Sequence, residues 1–165
     1  MGLGYIGLPT AAVAASKGIN VIGVDVNPKV VDTINKGDIH IVEPDLDKVV
    51  KSVVEKGLLK ASLTPESADA YFIVVPTPFK QNKRADISYV ESATRMVIPF
   101  LKKGDLYVIE STSPVMTTEK MAELIFNERP ELKDEIYIAY CPERVLPGNV
   151  LFELENNDRV IGGIN

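Results

Sequence analysis

The chain opens Met1-Gly2-Leu3-Gly4-Tyr5-Ile6-Gly7-Leu8-Pro9, and the spacing of these three glycines restricts the fold more than any later stretch. In a strand-turn-helix unit Gly2 permits the tight turn, Gly4 lets the backbone approach a pyrophosphate, and Gly7 lets the following helix pack closely on a sheet. The free N–H groups and positive end of that helix then face the phosphates. Glycine-rich turns also arise for ordinary conformational reasons, so the residues after Gly7 have to support the same reading. Thr10 to Lys17 is rich in small residues of good helix propensity and stops at Gly18. Val21-Ile22-Gly23-Val24 then reads as a strand, with Asp25 at its end, 18 residues beyond Gly7. That spacing suits a carboxylate accepting hydrogen bonds from the adenosine ribose of a dinucleotide. A carboxylate there repels a 2′-phosphate and no arginine follows closely, so NAD is favoured over NADP.

The fold class expected is α/β: a Rossmann-like, doubly wound, mostly parallel sheet with helices on both faces. A length of 165 residues suits one domain, residues 1–165, with no second domain expected. At 45% hydrophobic and 25% charged the composition is that of a folded globular chain. No apolar run approaches the roughly 18 residues that span a bilayer, and no signal-peptide pattern opens the chain, which points to the cytoplasm and away from membranes. A net charge of −5 provides no field to recruit nucleic acid. One cysteine, Cys141, excludes an internal disulfide, and with the one histidine, His40, it makes a metal site unexpected.

Along the chain, Asn27-Pro28 starts a helix that Gly37 stops, and Leu46 to Glu55 is a second helix closed by Gly57. His40 lies in the loop between them and has no evident carboxylate partner, so it reads as a loop histidine. Leu59 to Leu63 is a short strand, and Thr64-Pro65 caps a brief helical turn. Ala70 to Val75 is an unbroken apolar run, as in a parallel strand covered on both faces, and it ends in Pro76-Thr77-Pro78. Thr77 at that strand end is a candidate cofactor contact. Lys80, Lys83 and Arg84 read as a solvated loop. A helix follows from Asp86 toward Gly104, then a strand over Leu106 to Ile109 that runs into Glu110-Ser111-Thr112-Ser113-Pro114. A helix over Thr118 to Asn127 returns to a strand over Ile136 to Tyr140, followed by Cys141-Pro142-Glu143-Arg144-Val145. Leu151 to Leu154 carries no assignment, and Arg159 to Gly162 reads as a last strand. Three successive strands thus end in proline-punctuated polar loops, which the switch-point rule gathers along one rim. Only Met1 precedes Gly2, so the first strand is expected to be truncated and its slot filled by tag residues, a partner's segment or a shifted strand of the chain's own.

GLGYIGLP, IHIVEPDL, VPTPF, ESTSPV and AYCPERVLPGN, in this order and over essentially the whole chain, resemble the UDP-glucose/GDP-mannose dehydrogenase family. Their wording is nearest to the branch that takes UDP-N-acetylmannosamine. The family oxidises the 6-hydroxyl of a nucleotide sugar to a carboxylate by two hydride transfers to NAD⁺, through a thiol-linked intermediate. The resemblance implies that this chain is the N-terminal, NAD-binding part of such an enzyme, homodimeric or larger in full length. It further implies backbone contacts from Gly2, Gly4, Tyr5, Ile6 and Gly7 to the pyrophosphate, with the Asp25 carboxylate holding the ribose. Thr77, Thr112 and Thr118 would line the cofactor site toward the nicotinamide. Glu143 is the catalytic candidate, with Arg144 and Val145 as substrate contacts. Met116 stands where the family usually carries glycine, which puts the turn before Thr118 in question. The family's thiol and lysine belong to motifs further downstream, so the chain alone is expected to be inactive, and Cys141 reads as a small buried thiol. The other readings are a nucleotide-sensing regulatory module and a UDP-glucose 6-dehydrogenase type of member. A sensor has no need of CPERVLPGN, which favours the enzyme.

Overall fold

The computed structural model describes residues 1–164, and of Asn82 the backbone alone. In chain order the elements are α1 (Gly7–Ser16), β1 (Val21–Val24), α2 (Pro28–Asn35), α3 (Leu46–Glu55), β2 (Leu59–Ser62) and β3 (Ala70–Ile73). They continue with α4 (Ser88–Val97), β4 (Leu106–Ile109), α5 (Thr117–Glu128), β5 (Tyr137–Tyr140), α6 (Val150–Asn156) and β6 (Gly162–Gly163). The chain divides into two compact units, Met1–Pro65 with Arg144–Asp158, and Glu66–Glu143 with the residues from Arg159 on. This is the α/β architecture read from the sequence, its described strands pairing as β1-β2 and as β3-β4-β5-β6.

In the first unit β1 and β2 pair in parallel, Val21 opposite Leu59 and Val24 opposite Ser62. Asn27 caps α2 by accepting the Lys29 N–H at 3.0 Å, with Pro28 in the first turn, as its sequence requires. At the far end of α2 the Asn35 amide pairs with both backbone groups of Ala61, at 2.9 and 2.8 Å, continuing the ladder beyond β2 with a side chain. Leu3, Leu8, Ala12, Ile34, Leu46 and Val50 form one fully buried cluster, to which Leu151 of α6 adds. Each large aliphatic side chain so buried contributes about 1.5–3 kcal/mol relative to exposure. Gly23 makes this packing possible, because a Cβ built on it would lie 2.6 Å from a terminal methyl of Leu3.

In the second unit β3, β4 and β5 are parallel and in level register, Ile73 opposite Ile109 opposite Tyr140, and β6 returns antiparallel to β5. Tyr107 of β4 is fully buried, its hydroxyl 2.5 Å from Thr94 Oγ1 on α4. Thr94 donates its single proton to the Val90 carbonyl at 2.7 Å, so Tyr107 is the donor in the pair.

Several expectations shift. Thr64 and Pro65 form a bend and open chain in place of a helical turn. β3 stops at Ile73 and Phe72 is 39% exposed, so the apolar run is covered on one face. The helix expected up to Gly104 ends at Val97 and passes into a single turn over Ile98–Phe100, because Pro99 has no N–H to continue it. The unassigned residues after Asn149 form α6, and the last strand begins at Gly162 rather than Arg159.

Gly23→Ala is therefore expected to destabilise the chain by about 1–3 kcal/mol, the usual cost of overpacking a tight core. Thermal unfolding measures it, and an unchanged or raised Tm contradicts the packing described.

Candidate functional site

In the first unit the glycine turn is fastened to the end of β1. The Gly2 N–H donates to the Val24 carbonyl at 2.7 Å, and the Leu3 N–H donates to Asp25 Oδ2 at 3.0 Å. Asp25 Oδ1 accepts the Asn27 N–H at 2.9 Å, so one carboxylate holds both the turn and the start of α2. Gly2 has φ 90°, where a side chain would be strained, and a Cβ at Gly4 would meet nothing within 4 Å. α1 begins without a side-chain cap and without an acid in its first turn. These features suit a dinucleotide pyrophosphate: an open face at Gly4, an uncapped helix start, and a carboxylate with lone pairs remaining on both oxygens.

In the second unit the level register brings the loops after β3, β4 and β5 to one edge of the sheet. Ser111 Oγ accepts the Val75 N–H at 2.9 Å, and Thr77 Oγ1 donates to the Thr112 carbonyl at 2.6 Å. The Ser113 N–H reaches the Tyr140 hydroxyl at 3.3 Å, and the Cys141 N–H donates to the Ile109 carbonyl at 2.9 Å. Met116 takes φ 71°, the left-handed conformation open to glycine without penalty, and α5 starts directly after it with Thr117 and Thr118 buried. The methionine thus stands in a backbone conformation that suits glycine.

At the end of β4 lies a charged group of which sequence reading singled out only Glu143. Glu110 follows β4 with its side chain fully buried, and its Oε1 accepts from Arg159 Nη1 at 2.9 Å. Arg159 Nη2 donates to Glu143, whose side chain is 5% exposed. Glu110 Oε2 is buried without a partner among the described residues. Burial pushes the Glu110 carboxyl above its ordinary range and the Glu143 charge adds to this, against the lowering influence of Arg159. Cys141 is a free, buried thiol 3.8 Å from Arg159 Nη1, a basic neighbour that its local sequence does not show.

The residues singled out from sequence therefore fall into distinct groups. Gly2, Gly4, Tyr5, Ile6 and Gly7 form the turn and the start of α1, with Asp25 latched to that turn. Thr77 and Thr112 are joined, Thr118 lies on α5, and Glu143 is held by Arg159. Arg144 and Val145 belong to the first unit, whereas Glu143 belongs to the second. His40 is exposed on a bend. Glu43 was also missed: its two oxygens accept the N–H groups of Gly148 at 2.9 Å and Val150 at 2.8 Å, fastening the end of the PERVLPGN loop from more than a hundred residues away. A glutamate directly after an apolar strand was the one sequence signal for Glu110. Glu43 and Arg159 had none.

The profile of the UDP-glucose/GDP-mannose dehydrogenase family, NAD binding domain, matches residues 1–165. The chain belongs to this family. It is 60% identical over 172 aligned positions to the UDP-N-acetyl-D-mannosamine dehydrogenase of Escherichia coli, covering 99% of this chain and 41% of that protein. It is 56% identical to an NDP-N-acetyl-D-galactosaminuronic acid dehydrogenase of Ralstonia nicotianae, with the same coverage. Among solved structures, the UDP-N-acetyl-mannosamine dehydrogenase of Staphylococcus aureus superposes with a TM-score of 0.94 at 44% identity, covering 99% of this chain and 40% of that one. The chain thus spans about two fifths of the length of the family members it matches.

Two outcomes are expected from this geometry. Glu110 has a raised pKa in the folded chain, so the folded state holds its proton above the ordinary value of 4.5, and stability falls as pH rises through that value toward the folded pKa. Glu110→Gln should remove that component, so the Tm difference between the parent chain and the variant declines with pH from about 4.5 upward. A difference independent of pH would contradict it. Met116→Gly should stabilise the chain by about 1 kcal/mol by relieving the left-handed strain, and a lowered Tm would contradict that.

Proposed function

We propose that this chain binds NAD(H) and supplies the cofactor-binding part of a cytoplasmic nucleotide-sugar 6-dehydrogenase acting on UDP-N-acetylmannosamine. The observation that carries the reading is the Asp25 carboxylate, latched to the Leu3 and Asn27 amides beside a glycine turn whose Gly4 side is open. A ribose diol donates two hydroxyl protons, and the lone pairs left on Asp25 can accept them. A 2′-phosphate would instead place close to two negative charges against that carboxylate. The bound nicotinamide supplies the hydride acceptor for oxidation of the sugar. The protein's contribution is to bind, orient and hold charge. The backbone at Gly4, Tyr5 and Ile6 would approach the pyrophosphate without a side chain's obstruction at Gly4.

By their family motifs, Thr77, Thr112 and Thr118 are the candidates for contacts toward the nicotinamide, and Arg144 and Val145 for contacts to the sugar nucleotide. Glu143, fixed by Arg159 and nearly buried, is the acid best prepared to meet a reacting hydroxyl. The substrate assignment rests on the 60% identity to a UDP-N-acetyl-D-mannosamine dehydrogenase over the whole chain.

Calorimetric titration tests the reading. NAD⁺ should bind at least about tenfold more tightly than NADP⁺, and Asp25→Ala should weaken NAD⁺ by about 10- to 100-fold, as expected on losing charge-assisted hydrogen bonds of about 1.5–3 kcal/mol. Equal or tighter binding of NADP⁺ by the parent chain would refute it.

A further inference from the structure

Glu110 is poorly explained as a contribution to stability. Its side chain has no exposed surface, one of its oxygens has no partner among the described residues, and its charge is shared with a second carboxylate through one guanidinium. A buried acid joined to an arginine is weak evidence for stability, because taking the charges out of water costs about as much as their attraction returns.

The geometry around it is directional. A guanidinium presents its donors as a rigid planar fork, so whatever fixes one edge decides where the other edge points. Arg159 spends Nη1 on Glu110 Oε1 at 2.9 Å and Nη2 on Glu143. The Arg159 side chain is 26% exposed, and an arginine at such a position has water and other rotamers open to it unless something holds it. Glu110 is itself fastened through its backbone: its N–H donates to the Ile73 carbonyl at 2.9 Å, and its carbonyl accepts the Glu143 N–H at 3.4 Å. The same residue therefore meets Glu143 twice, once through the backbone and once through Arg159.

We propose that Glu110 is a positioning residue: it anchors the Arg159 guanidinium so that the free edge of that fork fixes the Glu143 carboxylate in place. The functional meaning of this rests on the reading of Glu143 as the acid of the sugar-facing site, whereas the anchoring itself does not.

The test uses the 165-residue chain with labelled arginine guanidinium nitrogens and labelled glutamate carboxyl carbons, and compares it with Glu110→Gln and Glu110→Leu by NMR. In the parent chain Arg159 should show separately resolved Nη–H signals, the mark of a guanidinium that does not rotate. Glu110→Gln keeps an acceptor for Nη1 and should preserve them. Glu110→Leu fills the space without an acceptor and should collapse them into one averaged signal and shift the Glu143 carboxyl resonance. Resolved Arg159 signals and an unmoved Glu143 resonance in the leucine variant would overturn the proposal, as would loss of both in the glutamine variant. If the leucine variant does not fold, Glu110→Ser, too short to reach Arg159, makes the same comparison. Neither cofactor nor sugar nucleotide is present in these measurements, so their outcome is separate from that of the NAD⁺ titration.

Discussion

The carboxylate of Asp25 holds two backbone amides at once, Leu3 in the glycine turn and Asn27 at the entrance to α2. The Gly2 N–H bond to the Val24 carbonyl and the burial of Leu3 act beside it. Leu3 in turn reaches its place because Gly23 has no side chain to displace it. One acid, one glycine in a strand and one buried leucine thereby set the position of the three glycines, and α1 follows with its alanines buried in the same cluster. The residue proposed to hold the cofactor's ribose is also the one that shapes the loop the cofactor would meet. On that proposal folding and binding draw on the same carboxylate, using different lone pairs.

The second unit solves a different problem, that of ending three strands at one level and keeping their loops ordered. Parallel register does the first, and side chains do the second: Ser111 takes over the Val75 N–H, Thr77 reaches the Thr112 carbonyl, and Tyr140 receives Ser113. Loops tied by hydroxyls to neighbouring backbone lose less order than free loops and can present polar groups with little further entropy cost. Below them a buried acid and an arginine bear on Glu143, an arrangement that contributes orientation more than stability.

Much of this was legible in local sequence wherever a local physical rule decides the outcome. Asn27-Pro28 starts α2 and Gly37, at φ 81°, follows it; Leu46 and Glu55 bound α3 as read. The apolar run from Ala70 to Val75 overstates β3 because apolar character does not say where a partner strand ends. β4 ends at Ile109, opposite Ile73, and the Val75 N–H turns to a side chain instead. Pro99 was legible and overlooked, its missing N–H outweighing the helical spacing of Val97 and Leu101. The left-handed backbone of Met116 contradicts local preference and is imposed by the surrounding fold. Glu43 capping Gly148 and Val150, and Glu110 meeting Arg159, join residues 105, 107 and 49 positions apart, beyond any local pattern.

The central claim is that the glycine turn and Asp25 form one cofactor-binding element. Backbone amide NMR of the chain during titration with NAD⁺ tests it most directly. The account predicts that the largest shifts fall on Leu3, Gly4, Tyr5, Gly7 and Asn27, saturating together with a single affinity. Saturable binding that leaves those five amides unmoved would contradict it.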